Sequence, residues 1–391
     1  MSGMTAIDLF CGAGGLSEGF RQAGFHVLAG QDIDEVAGET FAATHSEARF
    51  LGGPIQKVTS QLLLKTAGLR KGEVDVMVGG PPCQGYSYYN HGRGEHDPRS
   101  GLFREYLRLV DGVRPRWIIM ENVAGITSIG KGAIVSEIQR GLEGLGYRVM
   151  MKLLKAEEYG VPQERRRMFF IATRTQDNIH FPKPTHGPAV KVPYATIWDA
   201  ISDLPLIENG NSAKEHCLTS DPRSEYQKAL RVPNASVIFN HQAQKLSHIN
   251  LQRLRHIPQG GSWRDIPVDM LPRGMKLARR CDHTKRYGRP RWSDLACTIL
   301  TKCDPHWGAY FHPEQDRAFT PREAARLQSF PDSFVFHGSR TEQYIQIGNA
   351  VPPLLGRAVG RALIEAMSGA KANTGTLLSG DPLQEELLLA S

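Results

Sequence analysis

The chain has 391 residues, 40% hydrophobic and 22% charged, with a formal net charge of +7. This is an ordinary globular composition, long enough for one large domain with a second lobe, and no apolar run approaches the ~18 residues of a membrane-spanning helix. Six cysteines without a C-x-x-C pair, and no leader before the first strand-like run, lead us to expect free thiols, a cytoplasmic location and no membrane association.

Up to Thr173, strand-like and helix-like segments alternate. Apolar runs at 6–10, 26–29, 74–78, 117–120, 149–154 and 169–173 read as strands. Helical stretches lie between them, and one of these, 16–23, stops at Gly24, a residue suited to a helix C′ position. Such alternation implies a doubly wound α/β fold, a mostly parallel sheet with helices on both faces. Beyond Phe181, prolines at 182, 184, 188, 193, 205, 222 and 233 punctuate a stretch of poor periodicity, which reads as an irregular lobe. The lobe is basic: His241 to Pro305 hold 13 Lys/Arg against 5 Asp, an excess greater than that of the whole chain. A stretch of this kind is either a solvated face or the footprint of a polyanion. Regular structure returns at Thr320-Pro321-Arg322-Glu323, a capping box with proline at N1 that opens a helix through Leu327. A last helix is expected near 354–367, followed by a loose tail.

Four stretches carry candidate chemistry. Phe10-Cys11-Gly12-Ala13-Gly14-Gly15 is a glycine turn after the first strand, with Ser17 where a third dinucleotide-fingerprint glycine would stand, and Asp32 follows the second strand. The pair suits a nucleoside without a required phosphate, or is a plain tight turn. Gly79-Gly80-Pro81-Pro82-Cys83 ends a buried strand with a thiol on a stiff backbone, since each proline fixes its own φ. Cys83 is either a nucleophile or a structural cysteine. Glu121 closes the apolar run 117–120; it is either a partly desolvated acid, whose raised pKa suits it to carry a proton, or a solvated residue capping a helix. In Gln163-Glu164-Arg165-Arg166-Arg167, period two puts Arg165 and Arg167 on one side, able to hold a phosphate or a carbonyl oxygen, unless the stretch is a surface charge run. Cys281, His283, Cys297, Cys303 and His306 match no zinc module, so no metal site is expected and these read as surface thiols and polar contacts.

In order along the chain, these blocks resemble those of the cytosine-C5 DNA methyltransferases. The resemblance rests on Asp8-Leu9-Phe10-Cys11-Gly12-Ala13-Gly14-Gly15, on Gly80-Pro81-Pro82-Cys83-Gln84-Gly85-Tyr86-Ser87, on Glu121-Asn122-Val123 and on Gln163-Glu164-Arg165-Arg166-Arg167. Two further blocks, 322–332 and Gly348-Asn349-Ala350-Val351-Pro352-Pro353, complete it. It implies a Rossmann-like fold that uses S-adenosylmethionine, with residues 1–185 as catalytic and cofactor-binding domain and 186–339 as target-recognition lobe. Residues 340–370 would return to the catalytic domain and 371–391 form the tail. It further implies catalytic roles for Cys83, Glu121, Arg165 and Arg167, with Arg167 on the cytosine O2 and Arg165 supporting the loop or a phosphate. The cofactor set would be Phe10, Gly12, Gly14, Gly15, Asp32, Ile33, Pro82, Leu102, Asn349 and Val351. The segment from Tyr88 to Arg99 would be a loop that closes on DNA. One departure is visible: where the family places an acid toward the adenine amino group, this chain reads Leu51-Gly52-Gly53-Pro54-Ile55-Gln56.

The expected partner is double-stranded DNA, bound by a monomer, in a restriction-modification setting where a cognate endonuclease forms no stable complex. The alternatives are a tRNA cytosine-C5 methyltransferase and a catalytically silent DNA-binding regulator. A nicotinamide-dependent oxidoreductase fits poorly, because the third glycine is missing and a cysteine follows two prolines.

Overall fold

Alternating apolar residues of the first strand feed two separate layers, and the rest of the sheet follows that plan. The computed structural model describes residues 3–82, 101–128 and 132–368. Its elements begin with β1 (Thr5–Leu9), α1 (Gly15–Ala23), β2 (His26–Asp32), α2 (Glu35–Thr44), β3 (Arg49–Gly52), α3 (Ser60–Ala67), β4 (Val76–Gly79) and α4 (Leu102–Val113). Next come β5 (Trp117–Val123), α5 (Ala133–Gly144), β6 (Arg148–Lys155), β7 (Arg166–Thr173), α6 (Ile197–Ile201), β8 (Glu215–Cys217) and α7 (Glu225–Leu230). The chain continues with β9 (Val237–Phe239), α8 (His248–Leu254), α9 (Pro321–Leu327), α10 (Arg340–Asn349) and α11 (Pro353–Met367).

The main sheet has the order β3-β2-β1-β4-β5-β7-β6. Strands β1 to β5 pair in parallel, and β7 enters antiparallel between β5 and β6. This is the doubly wound, mostly parallel α/β architecture expected. Ile7, Leu9, Met77, Ile118 and Met120 pack on one face against Leu63, Tyr106, Val110 and Ile138. Ala6, Val76, Val78, Trp117 and Ile119 pack on the other against Phe20, Leu355 and Val359. Burial on both faces explains why these strands read as unbroken apolar runs. The strand order reverses direction between β1 and β4, so a crevice opens at their carboxyl ends, where sheets of this kind take ligands.

Helix α11 brings the C-terminal part of the described chain back onto α1. The approach is close enough that a β-carbon at Gly19 would stand 2.6 Å from the Pro353 carbonyl oxygen. Beyond the sheet, Ile197, Ile201 and Leu204 pack with Ile299, Leu327, Phe330, Phe334 and Ile347, and Ala13 joins this cluster from the glycine turn. A separate cluster of Leu246, Leu254, Trp263, Met275 and Tyr287 lies inside the basic stretch and is joined by Phe311 just beyond it. The irregular lobe therefore has two cores, one continuous with α9 and α10 and one of its own.

The capping box at Thr320 forms as expected, and its glutamate does a second job. Glu323 accepts from both terminal nitrogens of buried Arg317, at 2.8 and 2.7 Å, and these contacts hold its carboxyl well below the usual range against the effect of burial. Arg326 is equally buried and pairs with Asp332 and Asp203. Among the described residues, no helix is long and apolar enough to cross a membrane.

Candidate functional site

The glycine turn after β1 has three residues of positive φ, Phe10 at 58°, Gly12 at 52° and Gly14 at 97°. Among the described residues, a β-carbon on Gly12 would meet nothing within 4 Å, so this part of the turn is open to them at the sheet's carboxyl edge. Asp32, the last residue of β2, holds the turn from the side: Oδ2 accepts from the Gly12 N–H at 2.8 Å and Oδ1 from the Asp34 N–H at 2.9 Å. Burial raises its pKa, and those N–H groups oppose the rise. Beside it, Ile33 presents an apolar side chain that is 68% exposed. Beneath the turn, Asp8 is buried and accepts from Ser17 Oγ at 2.6 Å, and its pKa is pushed up to about 7 by burial.

From the far end of the chain the block 348–353 reaches the same turn. A β-carbon at Gly15 would stand 2.5 Å from the Val351 carbonyl oxygen and 2.9 Å from Ala350 Cβ, so glycine is required for this approach. Asn349 is exposed at the end of α10, Val351 is buried, and Leu102 opens α4 half-buried. Gln56, beyond Pro54 in the stretch without an acid, is exposed on a short 3₁₀ turn.

The second half of the site lies at the ends of β4 and β5. Glu121 is buried, and Arg167 Nε approaches its Oε1 at 2.7 Å from the neighbouring strand β7. The register pairs Val123 with Arg167 and Glu121 with Phe169, so the two side chains emerge two residues apart on adjacent strands. Burial raises the Glu121 pKa, and Arg167 opposes the shift without cancelling it. Gly80 lies over this carboxyl: a β-carbon there would stand 2.9 Å from Glu121 Oε2. Asn122 Nδ2 donates to the Pro81 carbonyl at 2.9 Å, which ties the end of β5 to the chain leaving β4. Pro82 is half-buried at the end of that described stretch. Cys83 and the segment from Tyr88 to Arg99 lie outside the described residues.

Arg165 acts with Arg167 on the Glu121 carboxylate but directs its own hydrogen bonds elsewhere. It precedes β7, is buried, and donates to the carbonyls of Ile299 at 3.2 Å, Gly348 at 2.8 Å and Ala350 at 2.8 Å. Burial, then the neighbouring Arg167, holds its pKa well below the usual arginine value. Sequence reasoning missed Asn122 and Gln163 as positioning groups. The contacts that make them so, to Pro81 and to Leu327, cross 41 and 164 residues of chain, and such pairings leave no local signal.

The cysteines of the basic stretch are not uniformly at the surface: Cys281 is exposed, Cys297 half-buried and Cys303 buried. His306 faces the Tyr287 hydroxyl at 3.1 Å. Among the described residues no group of three or more His, Cys, Asp or Glu is arranged to hold a metal ion.

A family model for C-5 cytosine-specific DNA methylases matches residues 4–365. The chain belongs to that family. The type II methyltransferase M.AgeI of Thalassovita gelatinovora is 34% identical over 93% of this chain and all of its own length. M1.HphI of Haemophilus parahaemolyticus is 36% identical over 93% of this chain and 87% of its own. Among solved structures, a candidate DNA modification methyltransferase encoded within a prophage (E. coli) superposes with a TM-score of 0.74 at 26% identity, covering 93% of this chain and 99% of that one. The activity is that of a DNA (cytosine-5)-methyltransferase, and the fold is that of S-adenosylmethionine-dependent enzymes.

The turn fits such a cofactor. Its open edge offers a glycine backbone, a carboxylate with lone pairs left for hydroxyl groups, and an exposed isoleucine for an apolar ring. No basic side chain stands within residues 10–15 to favour a phosphate.

Proposed function

We propose that this chain methylates C5 of a flipped-out cytosine in a specific double-stranded DNA sequence, with Cys83 as nucleophile and Glu121 as the acid at N3. The observation that carries the reading is the buried Glu121 carboxyl, fixed by Arg167 at 2.7 Å beneath the Gly80-Pro81 arm that leads to Cys83.

The residues then divide the chemistry. C5 of cytosine is a weak nucleophile while the ring is aromatic. The Cys83 thiolate adds to C6, and Glu121 hydrogen-bonds or protonates N3, which draws electron density from the ring as the C6–S bond forms. Density released onto C5 lets it take a methyl group. A base then removes the C5 proton, the C6–S bond breaks, and Cys83 leaves as thiolate. Arg167 holds Glu121 and faces the cytosine O2, while Arg165 sets the surrounding main chain. A raised Glu121 pKa supports a proton-carrying role at neutral pH. C5 is inaccessible within a duplex, so the base must leave the stack.

S-adenosylmethionine, when bound, supplies the methyl group in electrophilic form. The residues that would hold it are Phe10 on the adenine and Asp32 on the ribose hydroxyls. Gly12, Gly14 and Gly15 would provide the backbone wall, and Ile33, Pro82, Leu102, Asn349 and Val351 the rest of the cleft. The basic lobe within 186–339 reads the target, and residues 340–370 complete the cofactor side. We place the enzyme in the cytoplasm, as a monomer that protects DNA from a cognate endonuclease.

Bisulfite sequencing of DNA from a methylation-deficient host expressing the chain tests this. The expected result is conversion-resistant cytosine at one short recurring sequence. Unmodified DNA, or methyl transfer to tRNA with none to duplex, contradicts it.

A further inference from the structure

Residues 162–165 and 296–299 are fastened to one another along their length. The Ala296 N–H donates to the Pro162 carbonyl at 3.0 Å, the Glu164 N–H to the Ala296 carbonyl at 2.9 Å, and Thr298 Oγ1 to the Glu164 carbonyl at 2.6 Å. Two fully buried side chains finish the seam at one position. Gln163 Oε1 accepts from the Ile299 N–H at 3.0 Å, and Arg165 Nη1 donates to the Ile299 carbonyl at 3.2 Å. Both polar backbone groups of residue 299, inside the basic stretch, are thus held by alternate residues of one short segment.

The same two side chains also reach the opposite way. Gln163 Nε2 donates to the carbonyl of Leu327 at 3.1 Å, and Arg165 Nη2 to those of Gly348 and Ala350. Gln328 Nε2 in turn donates to the Ile347 carbonyl. Residues 348–350 belong to the block that presses on Gly15 of the open turn. One planar guanidinium therefore bridges residue 299 and the cofactor-side turn. Its fork is rigid, so a displacement of residue 299 must either break a hydrogen bond or move residues 348–350.

We propose that Gln163 and Arg165 are positioning residues that register residues 296–299 of the basic lobe against the cofactor-side turn, so that DNA and cofactor strengthen each other's binding. The inference rests on the function proposed above. Linkage makes the effect reciprocal: whatever factor DNA adds to cofactor affinity, the cofactor adds to DNA affinity.

The test is calorimetric titration of S-adenosylhomocysteine into the whole protein, with and without a duplex carrying the mapped site. It is run on the parent, on Gln163→Met and on Thr298→Val, the second of which loosens the seam at its more open edge. The parent is expected to bind the cofactor product at least ~5-fold more tightly with DNA present, in the usual range of such couplings. In both variants this factor falls below about 2, while each ligand alone keeps its affinity within about threefold, a pattern that general loss of structure does not produce. If Gln163→Met does not fold, Thr298→Val decides the matter. A parent factor retained in the variants, or no factor in the parent, overturns the inference. A parent that binds no duplex at all overturns the function reading first.

Discussion

Glu121 owes its character to three neighbours: the sheet that desolvates it, Arg167 that orients it, and Gly80 that leaves room above it. Glu121→Gln keeps the shape and a hydrogen bond but cannot carry the proton. Methyl transfer is expected to fall by about 10²–10⁴-fold, the usual worth of a general acid, with cofactor affinity unchanged by calorimetry. Asp8 gives a prediction in pH. Its carboxyl titrates at about 7 in the folded chain against 3.8 ordinarily, so the folded state holds the proton more tightly than the unfolded. Stability must therefore fall as pH rises from the ordinary value toward about 7. Asp8→Asn removes that titration and keeps an acceptor for Ser17 Oγ. Between about pH 5 and 8 the parent should lose Tm relative to the variant, and parallel Tm curves contradict the assignment. The glycine turn, Asp32 and Glu121 were legible because each follows directly on an apolar strand. The bonds of Arg165 were not, because its partners lie 134 to 185 residues away.

At the scale of elements, β5 and the chain leaving β4 act as one unit, joined by Asn122 and the Pro81 carbonyl. Asn122→Ala frees the arm that carries Cys83. We expect kcat to drop by roughly 10- to 100-fold with little change in cofactor binding, since a small misplacement of a nucleophile is costly. A loss confined to KM would mean that the arm is held by other means. Six strands of the main sheet could be read from apolar runs, and the capping box at Thr320 from local spacing. Strand β3 could not, because its four residues are half-exposed and lack a continuous apolar run. Nor could the insertion of β7 between β5 and β6, since strand order depends on long-range pairing.

Across the whole molecule, counting charge proved a coarse guide. Arg317, Arg322 and Arg326 are buried and bonded internally, so they add to the formal +7 without facing a partner. Arg273, Lys276, Arg279, Arg280 and Lys285 are exposed and flank Leu277, itself 91% exposed, in the sequence; under the proposed function they are the cations offered to DNA. Raising salt from about 50 to about 200 mM should weaken duplex binding by on the order of 10³-fold if at least six phosphates are contacted, as fluorescence anisotropy would record. A flat response would remove the lobe from the DNA interface.

The central claim is a transient bond between Cys83 and C6 of an extrahelical cytosine. The most direct measurement places 5-fluorocytosine at the mapped position of a duplex, adds S-adenosylmethionine, and locates any adduct by peptide mass spectrometry. Fluorine cannot leave as a proton does, so the account predicts a complex that survives denaturation and maps to Cys83. Absence of any adduct at Cys83, under conditions where the unfluorinated duplex is methylated, would contradict it.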